Sequence, residues 1–272
     1  MNDTKTAQLN AMSMPDVQSN FDERNIPIEQ VGVRNIRFPI TVLSEQGLLP
    51  SVAQFNLNVA LPAEKKGTHM SRFMALLQDH KDPISAKNIE LMIRKMLPLL
   101  EASKGMIELT YTHFVSKKAP VSGIQSMMDY QVTWTSFAQK HDSDTHVANF
   151  LKVTVPVMSL CPCSKEISDY GAHNQRSHVN IEVQLKDESS IIVEDLIRIA
   201  ESQASCELWG LLKRTDEKYV TEKSYENPKF VEDLVRDVAS HVAQLKDIVS
   251  YEVEAENFES IHNHSAFARI AS

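Results

Sequence analysis

The sequence predicts an α+β fold made of two ββααββ units in tandem, each an antiparallel sheet with two helices on one face. Three observations lead there. Stretches in which apolar and polar residues alternate come in pairs, as expected for antiparallel strands with one wet face. Between those pairs lie stretches whose apolar residues recur at helical spacing. The order strand, strand, helix, helix, strand, strand then occurs twice in 272 residues, without low-complexity sequence.

Residues 1–30 are polar and aperiodic and are expected to form a flexible arm. The first unit is expected over 31–140. VRNIRFPITVL is its first strand, and SEQGLLPS is a turn-rich connection. VAQFNLNVAL then puts Ala53, Phe55, Leu57, Val59 and Leu61 on one face, with Gln54, Asn56 and Asn58 on the other. Met70, Phe73, Met74 and Leu77 mark a helix that Asp82 and Pro83 break. Ile89, Met92, Ile93, Met96, Leu97 and Leu100 form the stripe of a second helix, with a kink expected at Pro98. MIELTYTHFV and DYQVTWTSF close the unit as strands around the basic loop SKKAPVSG.

The second unit is expected over 147–272. A strand over 150–161 leads through a cysteine-bearing loop to a strand over 178–185. A helix is predicted from Val193 to Leu212, with Cys206 inside it as core. Another is predicted to start with Asn227 as N-cap and Pro228 in the first turn, burying Val231, Leu234, Val235, Val238 and Val242. IVSYEVEAEN and SAFARI are the closing strands.

The chemistry concentrates in VTVPVMSLCPCSKEISDYGAHNQRSH, residues 153–178. If strand parity continues past Val157, Cys161 and Cys163 point the same way, with Pro162 ending the ladder because it has no donor N–H. His173 returns close by in sequence. Two thiols and an imidazole form a ligand set for a zinc-like ion, and a set short of four strong ligands favours an open catalytic site over a closed structural one. Buried cysteines acting as small hydrophobes are the plainer alternative. His262 and His264 flank Asn263, so extended backbone would aim both rings the same way, toward proton-transfer work or simply solvent. Glu232 falls in a first helical turn, where a carboxylate also complements the dipole, and Glu217 lies in a charge run typical of solvated surface.

Composition sets limits. A formal charge of -8 argues against nucleic acid as a partner, so an anionic substrate would need a local basic pocket. No apolar run approaches membrane-spanning length and no leader pattern opens the sequence, so a cytoplasmic protein without a membrane partner is expected. Three cysteines fit a reducing compartment.

GTHMSRF, SLCPCSKEIS, YGAHNQRSHV, LLKRTDEKYVTEKSYENPKFVED and ENFESIHNHS, in this order, resemble the prokaryotic type IB GTP cyclohydrolases across nearly the whole chain after the arm. The resemblance implies the tunnelling fold, with two units per subunit. It implies conversion of GTP to 7,8-dihydroneopterin 3'-triphosphate with release of formate, the first step toward folate-type pterins. It also implies one divalent metal ion per site, zinc, manganese or iron, held by Cys161, His173 and Glu217 with water in the fourth position. Cys163, Cys161 and His262 match catalytic positions, and Glu232 matches the carboxylate that anchors the purine. Lys66, His69, Ser71, Arg72, Arg176 and His264 are the further candidates for substrate binding, with Lys65, Lys117 and Lys118 adding charge. A homotetramer with sites between subunits is implied as well. A related tunnelling-fold nitrile reductase, with a cysteine nucleophile and no metal, is the alternative.

Overall fold

The computed structural model describes residues 16–142 and 144–272. Its elements in chain order are β1 (Ile28–Ser44), β2 (Gly47–Leu61), α1 (Met70–Asp79), α2 (Ala86–Leu99), β3 (Lys104–Lys118), β4 (Gln125–His141), β5 (Asp144–Leu160), α3 (Pro162–Ile167), β6 (Asn174–Leu185), α4 (Val193–Gln203), α5 (Arg214–Glu226), α6 (Val231–Val242), β7 (Ile248–Asn257) and β8 (Ala266–Ala271). The strands form one eight-stranded antiparallel sheet in sequence order, β1 to β8. The first half reads strand, strand, helix, helix, strand, strand. The second follows the same order with α3 and α5 added. Much of the expected arm, residues 1–15, lies outside the described residues. Residues 18–22 run along 64–67, joined by Asp22 N to Glu64 O, Lys66 N to Asn20 O and Gly67 N to Gln18 O.

Alternation decides which face of the sheet is covered. Ile107, Leu109 and Tyr111 of β3, Leu151, Val153, Val155 and Val157 of β5, and Val179, Ile181 and Val183 of β6 are buried in one continuous core. Phe73 and Leu77 of α1, Ile89, Ile93 and Met96 of α2, Leu196 and Ile197 of α4, and Leu234, Val238 and Val242 of α6 fill the other side of that core. Each such side chain contributes about 1.5–3 kcal/mol by leaving water, and this burial, more than propensity, holds the helices down. The opposite face is polar, carrying Thr110, Thr133, Lys152, Asn180, Glu182 and Glu254. The two halves share a full ladder, since β4 pairs with β5 from Gln131↔Thr154 to His141↔Asp144.

Close approach requires a glycine at one position. A Cβ on Gly32 would stand 2.0 Å from the Leu57 carbonyl oxygen and 2.7 Å from the Asn58 Cα, both backbone atoms. β1 shifts register on either side of this point, between Ile28 and Val31 and between Val33 and Ile36. Pro98 lies in the last turn of α2, whose helix ends one residue later.

Four sequence expectations are corrected. The helix from Val193 stops at Gln203, and Cys206 leaves it to bridge Met158 backbone to backbone, beyond the last β4 partner of β5 at Thr154. The Ser205 hydroxyl, accepting from Leu160 N at 3.1 Å, fixes that exit. α5 is a helix that periodicity does not reveal, because its buried residues are only Asp216, Val220 and Ser224. Asn227 caps the C-terminus of α5, with its Nδ2 donating to the Ala204 carbonyl at 2.9 Å, and the N-cap of α6 is Phe230. Cys161 and Cys163 do not share a strand face: Pro162 at the first helical position turns the chain into α3, leaving Cys161 as its N-cap and Cys163 exposed within it.

Candidate active site at the β5–β6 turn

Strand pairing brings Cys161 and His173 together. β5 and β6 pair up to Leu160↔Asn174, and one step further the Cys161 N–H donates to the His173 carbonyl at 3.2 Å. Ser164 staples the two residues. Its backbone N–H donates to Cys161 Sγ at 3.5 Å, its hydroxyl donates to the Cys161 carbonyl at 3.1 Å, and the same hydroxyl accepts from His173 N at 3.2 Å. Gly171, at φ +121, makes the turn between α3 and His173.

The β7–β8 loop reaches the same place from the other side. Phe258 N donates to the Arg176 carbonyl at 3.0 Å, and its ring meets His178 edge-on at 4.8 Å. Gln175 Nε2 lies 3.4 Å from Glu259 Oε1, and Ser260 Oγ lies 3.1 Å from His173 Nδ1. His262 and His264 follow in a bend, not a strand, yet their rings stack at 5.0 Å and 13°. Both are exposed, as is Arg176.

Glu217 comes from α5, which packs on β5, and Glu232 from α6, which packs on β7 and β8. Glu217 is exposed in the first turn of α5. Thr221, one turn later, donates its hydroxyl to the Glu217 carbonyl and lines a small cavity with Ala172 and Asn174, the neighbours of His173. An i, i+4 stripe therefore puts Glu217 on the side of α5 that faces this turn. Asp216 holds the start of α5: its carboxylate accepts from Val121 N, Ser122 N, the Ser122 hydroxyl and Lys213 N, at 2.6 to 2.9 Å. Desolvation works to raise its pKa, but the Ser122 hydroxyl and the backbone N–H groups win and hold it well below the usual carboxylate range. Glu232 is exposed in the first turn of α6, whose approach is tied to the end of β5 by Lys229 N donating to the Leu160 carbonyl at 3.1 Å.

Cys161 and His173 are thus adjacent, and Glu217 is not gathered with them. Among the described residues no three His, Cys, Asp or Glu side chains are grouped to hold a metal ion. The donor chemistry nevertheless fits a transition metal: a cysteine and a histidine joined backbone to backbone at the strand end, with an exposed carboxylate on α5.

The expected phosphate residues stand elsewhere, at the start of α1 on the first half. Lys65 and Arg72 both pair with Glu101, at 2.7 and 3.3 Å, and His69 pairs with Asp16 at 3.0 Å. Lys66 and Ser71 are exposed. Lys117, expected to add charge for a ligand, is instead half-buried and paired with Glu201 at 2.8 Å and Glu207 at 2.7 Å, and Tyr130 also donates to Glu201 at 2.7 Å. Asp216, Ser164 and Ser260 escaped sequence reasoning. Asp216 and Glu217 together had a readable signal, since acidic residues are enriched in a first helical turn. The two serines had none, because their partners are set by strand pairing.

A family model described as type I GTP cyclohydrolase folE2 matches residues 14–268. The chain is 59% identical over 266 residues to the GTP cyclohydrolase FolE2 of Polynucleobacter asymbioticus, covering 97% of this chain and 98% of that one. It is 60% identical over 265 residues to the GTP cyclohydrolase FolE2 of Burkholderia multivorans, covering 97% and 96%. Among solved structures it is similar to a uricase from Bacillus fastidious, with a TM-score of 0.59 at 9% identity over 90% of this chain and 92% of that one. A urate oxidase mutant from Bacillus sp. TB-90 gives a TM-score of 0.57 at 9% identity, covering 90% and 99%. At that identity the two structures speak to the fold alone.

Proposed function

The chain belongs to the type I GTP cyclohydrolase FolE2 family and is a GTP cyclohydrolase, and from that premise we propose that Cys161, His173 and Glu217 hold one catalytic divalent ion while Glu232 anchors the guanine. The reaction opens the guanine ring of GTP at C8, releases formate and rearranges the remainder to 7,8-dihydroneopterin 3'-triphosphate. The observation that carries the ligand reading is the stapled pair: Cys161 N to His173 O, with Ser164 bonded to both. Glu217 completes the proposed set from the first turn of α5, where its side chain is exposed. Zinc, manganese and iron all suit a thiolate, imidazole and carboxylate set. When bound, such an ion supplies Lewis acidity that makes water nucleophilic near neutral pH.

The other residues bind, orient and move protons. Glu232 accepts from the guanine N–H groups, a pattern that adenine does not offer. Ring opening and later ring closure need protons at nitrogen atoms, and Cys163, two residues after Cys161, and His262, two residues after Ser260, are the groups that transfer them. Lys66, His69, Ser71 and Arg72 receive the triphosphate at the start of α1, where free N–H groups favour anions; Arg176 and His264 add contacts. These groups lie on different halves of the sheet. A homotetramer of tandem tunnelling-fold ββααββ units, joined between subunits at β1 and β8, the outermost strands among the described residues, lets one subunit's α1 serve another's stapled pair.

The test is metal content. Cys161→Ala and His173→Ala should each lose the ion and GTP-dependent formate release together while remaining folded. Full metal occupancy in either variant would strike that residue from the ligand set.

A further inference from the structure

His173 is fixed from two directions, and only one of them reaches its ring. Its backbone is held from the β5 side by Cys161 and Ser164. Its ring has one hydrogen-bond partner among the described residues, the Ser260 hydroxyl at 3.1 Å from Nδ1. A neutral imidazole binds a metal through one nitrogen and carries a proton on the other, and whatever accepts that proton selects the tautomer. With Ser260 Oγ accepting from Nδ1–H, the lone pair is left on Nε2.

Ser260 does not sit on a free flap. Asn257, three residues earlier, still pairs with Ser177 in the β6–β7 ladder. Phe258 is then fastened to Arg176 and His178, and Glu259 to Gln175. The loop therefore runs back along β6 and delivers the hydroxyl to the ring from a supported backbone. The same loop carries His262 and His264 within four residues of Ser260.

We propose that Ser260 is a positioning residue that locks His173 with Nε2 presented to the ion, and so couples metal affinity to the docking of the 258–264 loop. This rests on the reading of His173 as a metal ligand. It assigns the loop a second duty besides carrying His262: its seating on β6 and metal binding reinforce each other, because each fixes the same ring.

The experiment titrates Zn²⁺ into the full-length apoprotein against a chromophoric chelator for wild type, Ser260→Ala, Ser260→Thr and His173→Ala. Amide hydrogen exchange of residues 258–264 is followed with and without Zn²⁺. Loss of an outer partner of a ligand typically weakens metal binding about 10- to 100-fold, and Ser260→Ala is expected to fall in that range. Ser260→Thr, which restores the hydroxyl, should return to within about threefold of wild type on the same principle. Zn²⁺ should slow exchange in the loop of wild type and not of Ser260→Ala, with the apoprotein melting temperatures equal. If Ser260→Ala binds Zn²⁺ like wild type while His173→Ala has lost it, the positioning role is wrong and the ligand reading stands. If His173→Ala itself retains wild-type affinity, the ligand reading fails and takes the inference with it.

Discussion

Replacing His113 by alanine should destabilise the whole sheet by severing a buried tie between its halves. His113 of β3 is fully buried, and its Nε2 lies 2.9 Å from Glu194 Oε1 of α4, whose side chain is 4% exposed. The same oxygen accepts from Glu45 N at 3.1 Å, so the β1–β2 turn joins as well, and Arg198 pairs with Glu45 outside it. Burial works to raise the Glu194 pKa, but the hydrogen bonds from His113 and from backbone N–H groups keep it below its ordinary value, so the carboxylate is charged where it sits. Removing its main partner leaves that carboxylate with only backbone N–H donors, and loss of a hydrogen bond to a charged group costs about 1.5–3 kcal/mol. With a urea slope of about 3 kcal/mol per M for a chain of this size, the midpoint should fall by about 0.5–1 M. The assay is urea unfolding at fixed protein concentration, followed by far-ultraviolet circular dichroism. Adding Glu194→Leu to His113→Ala should recover part of the loss, because the orphaned charge goes with it. A His113→Ala midpoint unchanged from wild type would refute the reasoning, since the His113 hydrogen bond would then contribute nothing to holding the buried carboxylate.

Other outcomes follow from the site. Asp216→Asn should lower the melting temperature at neutral pH and weaken metal binding by loosening the turn that carries Glu217. Because the folded carboxyl titrates below its unfolded value, its stabilisation is complete above about pH 4 and is lost as pH falls further. The melting-temperature gap between variant and wild type should thus close in acid, and a gap that widens there would contradict the assignment. Glu232→Gln exchanges an acceptor-only group for one with an NH₂ donor, and should weaken GTP binding about 10-fold or more at unchanged metal content; equal calorimetric affinity would return Glu232 to the role of a helix-start charge. Cys163→Ala should keep the ion and bind GTP, yet release formate at least about 100-fold more slowly, as expected for loss of a proton-transfer group. Loss of the ion with the sulfur would make Cys163 a ligand.

The sequence made the covered face of the sheet readable because burial there is one-sided. Phe55, Leu57, Val155 and Ile181 alternate with polar neighbours, and that parity carries straight through to the core. Parity failed at Cys161, where Pro162 imposes helical φ and ends the alternation, so extrapolating the strand put Cys163 on the wrong face. α5 was invisible for a related reason: it is held by the hydrogen bonds of Asp216 and a few buried residues, not by an apolar stripe. The nearness of Cys161 and His173 could be anticipated from their short separation. The contacts of Ser260 with His173 and of Lys117 with Glu201 join residues 87 and 84 positions apart, a distance that only the register of the sheet closes.

The account turns on Glu217, the proposed ligand that is not gathered with Cys161 and His173. The direct measurement is the metal-to-chain ratio of wild type and Glu217→Ala purified side by side without chelators, with formate release from GTP read on the same samples. One ion per wild-type chain, with both the ion and formate release lost in Glu217→Ala, is the predicted result. A Glu217→Ala protein that keeps one ion per chain and still releases formate would contradict it.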